Sequence, residues 1–222
     1  MQLMKYCALA ALIGALVGTN QARAANLLAN PGFENPVTTD GYPFVGSWEA
    51  FNGGAGTSAN NSATTPRSGA MDLGLSILNT DNTFAGAFQD VPNLVAGQQV
   101  TFSGFHMTSS NPLDLTSEVR IEWRTNTNND ATSTEVSRTA NINPVAGFGQ
   151  YTPFSLTATV PVGATVGRAV YAIQTFSGGP TNNGIVFVDD TSFDVVPEPA
   201  TIGLLGLGAI GCVTLGRRNR RG

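Results

Sequence analysis

The chain has 222 residues, 41% of them hydrophobic and only 12% charged, with a net charge of −4. Its one lysine, Lys5, and half its arginines lie near the two ends, so residues 25–195 hold five arginines against fourteen acids, a net charge of −9. That balance excludes a nucleic-acid partner, which needs a basic footprint, and suits neutral glycans or divalent cations. Both cysteines, Cys7 and Cys212, also lie in the ends. The central region therefore has no disulfide, thiolate metal site or cysteine nucleophile.

In chain order, residues 1–24 read as a signal peptide. Lys5 supplies the positive start, residues 7–18 form an apolar stretch too short to span a membrane, and Ala22-Arg23-Ala24 fits a small-x-small cleavage site. Residues 25–195 are rich in Gly, Thr, Ser, Asn, Val and Phe, in short apolar runs separated by turn residues. This pattern predicts an all-β domain. Strands are expected over 44–51, 69–78, 83–91, 98–107, 117–125, 132–138, 150–160, 167–176 and 184–195, as an antiparallel β-sandwich of jelly-roll type. Alternation is clearest in Val119-Arg120-Ile121-Glu122-Trp123-Arg124, with Val/Ile/Trp inward and Arg/Glu/Arg outward. Phe154, Leu156, Ala158 and Val160 share one face, and Tyr171 and Ile173 oppose Arg168 and Gln174. Residues 52–66 read as a mobile Gly/Asn/Ser/Thr loop, and 126–133 as a polar hairpin connection.

Residues 196–222 have three parts. Pro197-Glu198-Pro199 is stiff and extended, because each proline fixes φ and restricts the residue before it. Residues 200–216 are uncharged and apolar, at the short end of what crosses a bilayer as a helix. Arg217, Arg218, Arg220 and Arg221 would hold the far end in the cytoplasm.

This order of parts resembles the PEP-CTERM sorting signal. The resemblance implies export in a Gram-negative bacterium that makes extracellular polysaccharide. It also implies recognition of Pro197, Glu198 and Pro199, with Arg217 and Arg218 behind them, by a membrane-embedded exosortase. Four further segments resemble jelly-roll carbohydrate-binding modules of the galactose-binding-like superfamily. They are residues 26–34 (Asn-Leu-Leu-Ala-Asn-Pro-Gly-Phe-Glu), residues 66–73, Gln89 through Phe102, and the closing Val186-Phe187-Val188-Asp189-Asp190-Thr191-Ser192-Phe193.

That second resemblance implies a structural calcium ion held by Glu34, Asp189 and Asp190, hard oxygen ligands of the type calcium takes. Strand alternation lets one of the two aspartates point inward, and Asp190 is the expected one. The alternative is that these acids cap turns or edge the sheet. A glycan site would draw on Arg120, Glu122, Arg124 and Gln174 of the wet face, with Trp48 as the ring. Trp48, Trp123, Tyr151 and Tyr171 are otherwise core, leaving no evident aromatic platform. Catalysis has little to stand on: His106 is the only histidine, and nothing positions Glu118 and Glu122 as a pair.

The expectation is a non-catalytic, exosortase-processed cell-surface or extracellular protein with a glycan-binding-like domain, associated with extracellular polysaccharide and held in the membrane before processing. A structural matrix or adhesion protein without sugar specificity is the alternative, and a secreted hydrolase a third.

Overall fold

A computed structural model describes residues 25–41, 46–111, 113–126, 132–176 and 183–196, all within one compact unit, Ala25–Val196. The signal peptide, the apolar run, and Pro197, Glu198, Pro199, Arg217 and Arg218 lie outside the described residues. Eleven strands occur among the described residues: β1 Glu49–Asn52, β2 Thr57–Ser62, β3 Asp72–Leu78, β4 Phe84–Val91, β5 Gln99–Thr108, β6 Thr116–Arg124, β7 Glu135–Arg138, β8 Gly147–Phe148, β9 Thr152–Thr159, β10 Val166–Gln174 and β11 Asn183–Val195. No helix occurs among the described residues.

Two sheets form the sandwich. Sheet A runs β1-β4-β10-β6-β7; sheet B runs β2-β3-β11-β5, with β9 antiparallel to β5 along Gln99–His106 and the short β8 parallel to its end. The expected all-β, jelly-roll-type architecture is what forms. The predicted loop over 52–66 is in part a strand: β2 pairs along β3 from Thr57↔Ile77 to Ser62↔Asp72. Only Ala59 of β2 is buried, so this edge strand is held by its ladder rather than by an apolar face.

The core lies between the sheets. Val119, Ile121 and Trp123 of β6 face Tyr171 and Ile173 of β10, and all are buried, as the alternation predicts. Burying each such side chain contributes about 1.5–3 kcal/mol. Phe33 and Trp48 pack with ring centroids 4.9 Å apart, and Trp48 Nε1 donates to the Asn30 carbonyl at 3.1 Å. Trp48 is thus wholly buried core with its one donor used, and the expectation that it contacts a ligand is corrected.

One polar link joins the two sheets through the core. His106 of β5 shares a 2.6 Å hydrogen bond between Nδ1 and the Tyr171 hydroxyl, which donates to Ser117 Oγ at 3.1 Å. Phe154 packs edge-on to His106, with centroids 5.5 Å apart. Burial pushes the His106 imidazole down to about 4, because a charged ring in this core loses its water.

The unfolded chain therefore binds a proton between the ordinary value of 6.5 and about 4 that the folded chain does not. Stability is complete above the upper limit and falls as pH drops through that window. The full loss from this group is about 3 kcal/mol, at roughly 1.4 kcal/mol per unit. Urea unfolding at pH 7 and pH 4.5 should show a smaller acid loss in His106→Gln than in the unsubstituted chain; equal losses would exclude the imidazole as the cause.

Candidate functional site

The outward face of sheet A carries side chains in register across four or more strands. One row reads Asp90–Arg168–Glu122–Arg138, alternating in sign across β4, β10, β6 and β7. Arg168 Nε meets Asp90 Oδ1 at 2.8 Å, and Arg120 Nε meets Glu122 Oε1 at 2.8 Å. Arg120 also pairs with Glu118, whose other oxygen accepts from Gln174 Nε2 at 2.9 Å. Opposite charges directly across strands attract. These are more than surface pairs, since Arg120, Arg168, Glu118, Glu122 and Asp90 are all largely buried. Removing one partner would strand a charge away from water.

Beside this ladder lies a strip of four phenylalanines. Phe51 and Phe88 are 6.1 Å apart between ring centroids, Phe51 and Phe84 are 5.9 Å, and Phe84 and Phe176 are 6.2 Å. The Arg168 guanidinium sits 4.0 Å above the Phe88 ring and ties strip to ladder. Gly86 makes room for Phe51: a Cβ there would come within 2.6 Å of the ring tip. Phe84 is 36% exposed and Phe176 56%, so the strip opens to solvent at that end.

The structure thus brings together Arg120, Glu122 and Gln174 of the expected set. Arg124 is spent elsewhere: its Nε and Nη2 donate to Ser133 Oγ and the Ser133 carbonyl, both at 3.0 Å, fastening the hairpin. The strip is what sequence reasoning missed. In Phe84-Ala85-Gly86-Ala87-Phe88, the alanines face inward beside Tyr171 and Ile173, and the phenylalanines face out. Reading large residues inward inverts that strand. The signal available was Asp90, which shares a face with Phe84 and Phe88.

The second cluster lies on the outer face of sheet B, under the loop 63–71. Asp189 Oδ2 accepts from the backbone N–H groups of Arg67 at 2.8 Å and Ser68 at 3.1 Å, and Oδ1 from its neighbour Asp190 at 2.7 Å. Asp190 pairs with Arg67 and accepts from Ser68 Oγ at 2.6 Å. Glu34 Oε1 accepts from Ala70 N–H at 3.0 Å and Met71 N–H at 3.3 Å. Gly69, at φ +63°, allows that approach, since a side chain there would collide with Glu34. The expected inward residue is corrected: Asp189 is fully buried, beneath the loop, and Asp190 stays partly exposed. The cause is an extra residue in β11 between Asp189 and Ser192, with Asp190 at φ +48°.

Each of the three acids therefore holds loop donors. Among the described residues, no three His, Cys, Asp or Glu side chains gather as a metal site. One carboxylate oxygen is left over: Asp72 is fully buried, its Oδ2 accepts from the Tyr151 hydroxyl at 3.3 Å, and its Oδ1 has no partner. Burial raises the pKa of both Asp72 and Asp189, and the Asp189 charge raises that of Asp72 further.

Comparison with known proteins bears on both ends of this description. Residues 195–221 match the PEP-CTERM protein-sorting motif. The tail is a PEP-CTERM signal. It marks an exported protein sorted to the cell surface. No curated protein sequence matches the chain. The fold resembles a family 16 carbohydrate-binding module at a TM-score of 0.50 and 17% identity, over 76% of this chain and 99% of that one. It also resembles the enzymatically active domain of tailspike protein 4 of bacteriophage CBA120, at a TM-score of 0.56 and 13% identity. That match covers 77% of this chain but 21% of the tailspike chain. Most of the similar solved structures are carbohydrate-binding modules.

Proposed function

We propose that the domain is a non-catalytic glycan-binding module of an exported protein, with its site on the outer face of sheet A. The observation that carries this is the pairing of an exposed aromatic strip with a fixed set of polar groups. Phe84 and Phe176 offer apolar ring faces to the C–H face of a sugar. Gln174 and Arg120, held in place by Glu118 and Glu122, offer donors to its hydroxyls. A small number of placed polar groups in a mostly apolar lining is the usual composition of a ligand site. The ladder fixes those groups before any ligand arrives, which lowers the ordering cost of binding. Catalysis finds no support, since His106 is buried in the core and bonded to Tyr171. A structural matrix protein without sugar specificity would leave the exposed rings without a role.

Residues 25–196 should bind a polysaccharide in affinity electrophoresis, and Phe84→Ala with Phe176→Ala should weaken that binding about tenfold, near 1.4 kcal/mol. Phe176 is more than half exposed and Phe84 about one-third, so the fold should persist with a modestly lower melting temperature. Unchanged retardation with both rings removed would overturn the site.

The precursor would be held in the membrane by its tail and released when an exosortase cuts at the tail. Extracellular polysaccharide is the glycan closest to hand at that surface. Replacing Pro197-Glu198-Pro199 by alanines should leave the full-length precursor in the inner membrane, read by immunoblot of membrane and secreted fractions. Normal release would sink the assignment of these residues as the recognised peptide.

A structural calcium ion is a second reading, favoured by the orphaned Asp72 Oδ1. Glu34 Oε1 and Asp189 Oδ1 also flank the space over Gly32, at 3.9 and 3.6 Å from where its Cβ would lie. Hard oxygen donors of this kind suit calcium, and a bound cation would offset the buried carboxylate charge. A ligand of the folded state alone stabilises it. EDTA should therefore lower the melting temperature by several degrees, and added calcium should restore it; identical curves would remove the ion.

A further inference from the structure

Sheet B ends on β9, and this edge is open. The ladder between β9 and β5 runs without a register shift, and Val160 N–H extends it to the Gln98 carbonyl at 2.9 Å. An antiparallel ladder turns alternate residues toward and away from its partner. Val160 is turned toward β5, and so are Ala158, Leu156, Phe154 and Thr152. The backbone N–H and C=O groups of Ser155, Thr157 and Thr159 therefore point to the free side. Pro153 falls in the same phase, where a strand tolerates a residue with no N–H. Pro153, Ser155, Thr157 and Thr159 are all exposed.

The other edges of the sandwich are guarded in the ways edge strands usually are. β7 carries Glu135 and Arg138, and its pairing with β6 shifts register at Arg124. β1 is only four residues long. Beside β2, Asn61 accepts from Val37 N–H and donates to the Phe33 and Asn35 carbonyls, so the segment 33–37 lies along that edge. Beyond the proline near its start, β9 has no such device. It has eight residues, no Lys, Arg, Asp or Glu, and no strand among the described residues on its outer side.

Three features of β9 identify an occupant. The stretch Pro153-Phe154-Ser155-Leu156-Thr157-Ala158-Thr159-Val160-Pro161 is symmetric in its turned-out positions: Ser155 and Thr159 flank Thr157, and a proline stands beyond each. Laid antiparallel on a second copy with Thr157 opposite Thr157, Ser155 meets Thr159, and each facing pair exchanges both backbone bonds. Pro153 then meets Pro161, so the positions that cannot donate coincide at the ends of the ladder. The second feature is apolar. Leu156 and Ala158 pack against the core but are only partly buried, because the layer stops there. The same register sets Leu156 beside Ala158 of the second copy and covers both, a gain of about 25 cal/mol per Å² removed from water. The third is charge. Two domains of net charge −9 repel where their acids meet, and this register sets no charged residue of β9 against another.

We propose that β9 is a self-association edge. Two copies of the domain pair through it about a two-fold axis at Thr157, joining their two B sheets into one. A two-fold interface uses the same strand on both sides. The inference does not depend on the sugar reading. Phe84 and Phe176 belong to sheet A and take no part, so a dimer carries two aromatic strips. On a repeating polymer the second strip would bind at high effective concentration.

Residues 25–196 contain both sheets, the described core and neither cysteine, so they serve as the test chain. Sedimentation equilibrium at up to about 0.1 mM should show a reversible dimer. Thr157→Pro should weaken it at least about tenfold, since it removes the central donor but no bond to β5. Register is read by cross-linking, with copper phenanthroline and air oxidising two thiols to a disulfide. Thr157→Cys should join two copies, because facing residues stand about 5.5 Å apart between Cα atoms. Ser155→Cys should not, because its counterpart lies four residues along the ladder, more than about 13 Å away. Adding Thr159→Cys to Ser155→Cys should restore the link. The cysteine variants decide the matter should Thr157→Pro not fold. A monomeric chain, a dimer untouched by Thr157→Pro, or equal cross-linking through Ser155→Cys and Thr157→Cys overturns the pairing. Capture of a foreign extended peptide by a chain that stays monomeric counts against it in the same way.

Discussion

The structure depends on the closing strand β11. It lies between β3 and β5 in sheet B, and its thirteen residues pair with one along 183–188 and with the other along 186–195. A strand bonded on both sides has no freedom to slip, since a shift by one residue would turn every side chain over. One extra residue is nevertheless accommodated, at Asp190. Before it, Val186 and Val188 face the core; after it, Phe193 does. The bulge places Asp189 under the loop 63–71 and leaves its two oxygens to collect the N–H groups of Arg67, Ser68 and Asp190. Strand register, loop position and the buried acid are one feature. The Thr191 amide then donates to the Pro31 carbonyl at 2.9 Å, so the amino-terminal segment is fixed by the same few residues.

Sheet A solves a different problem. Its outer face is neither apolar nor freely solvated. Val170 and Ala172 on that face are buried, flanked in register by Phe88, Arg120 and Glu118. Packing charged groups this closely is costly unless each finds its partner. The alternation Asp90–Arg168–Glu122–Arg138 supplies partners across strands, and Glu118–Arg120–Glu122 supplies them along one. A network of this kind is rigid because Glu118, Arg120, Glu122 and Arg168 each hold two neighbours or more. Rigidity is worth more to recognition than to stability, where well-packed apolar groups would serve as well. The cross-strand spacing fixes where each acceptor and donor stands relative to the Phe84 and Phe176 rings.

Much of this was legible in the sequence where alternation is strong. Val119-Arg120-Ile121-Glu122-Trp123 assigns its own two faces, and the structure buries the first, third and fifth. The ends of β3, β5, β10 and β11 fall within a few residues of turn signals. What escaped has identifiable causes. β2, Thr-Ser-Ala-Asn-Asn-Ser, has no apolar alternation to read, because an edge strand can be held by its ladder and by Asn61, whose Oδ1 accepts from Val37 N–H at 2.5 Å. β4 pairs small residues inward with large residues outward. Its inner alanines sit across from Tyr171 and Ile173, a volume match visible only once register is known. The bulge in β11 breaks the period of two on which the choice between Asp189 and Asp190 rested. Nothing local to Asp72 signals its burial, which involves the Tyr151 hydroxyl, 79 residues away in sequence.

The sheet also has a direction. β4 and β10 run antiparallel, so Phe84 and Phe176 stand at one end, and the turns after Val91 and before Val166 at the other. The chain leaves from the second end, through Val196. The aromatic strip thus opens at the end away from the exit, while the charge ladder lies nearer to it. The same arrangement would survive removal of the tail, because the strip and the ladder are built only from β1, β4, β6, β7, β10 and the residue pair after β10. The open end of the aromatic strip and Val196 thus lie at opposite ends of the sandwich.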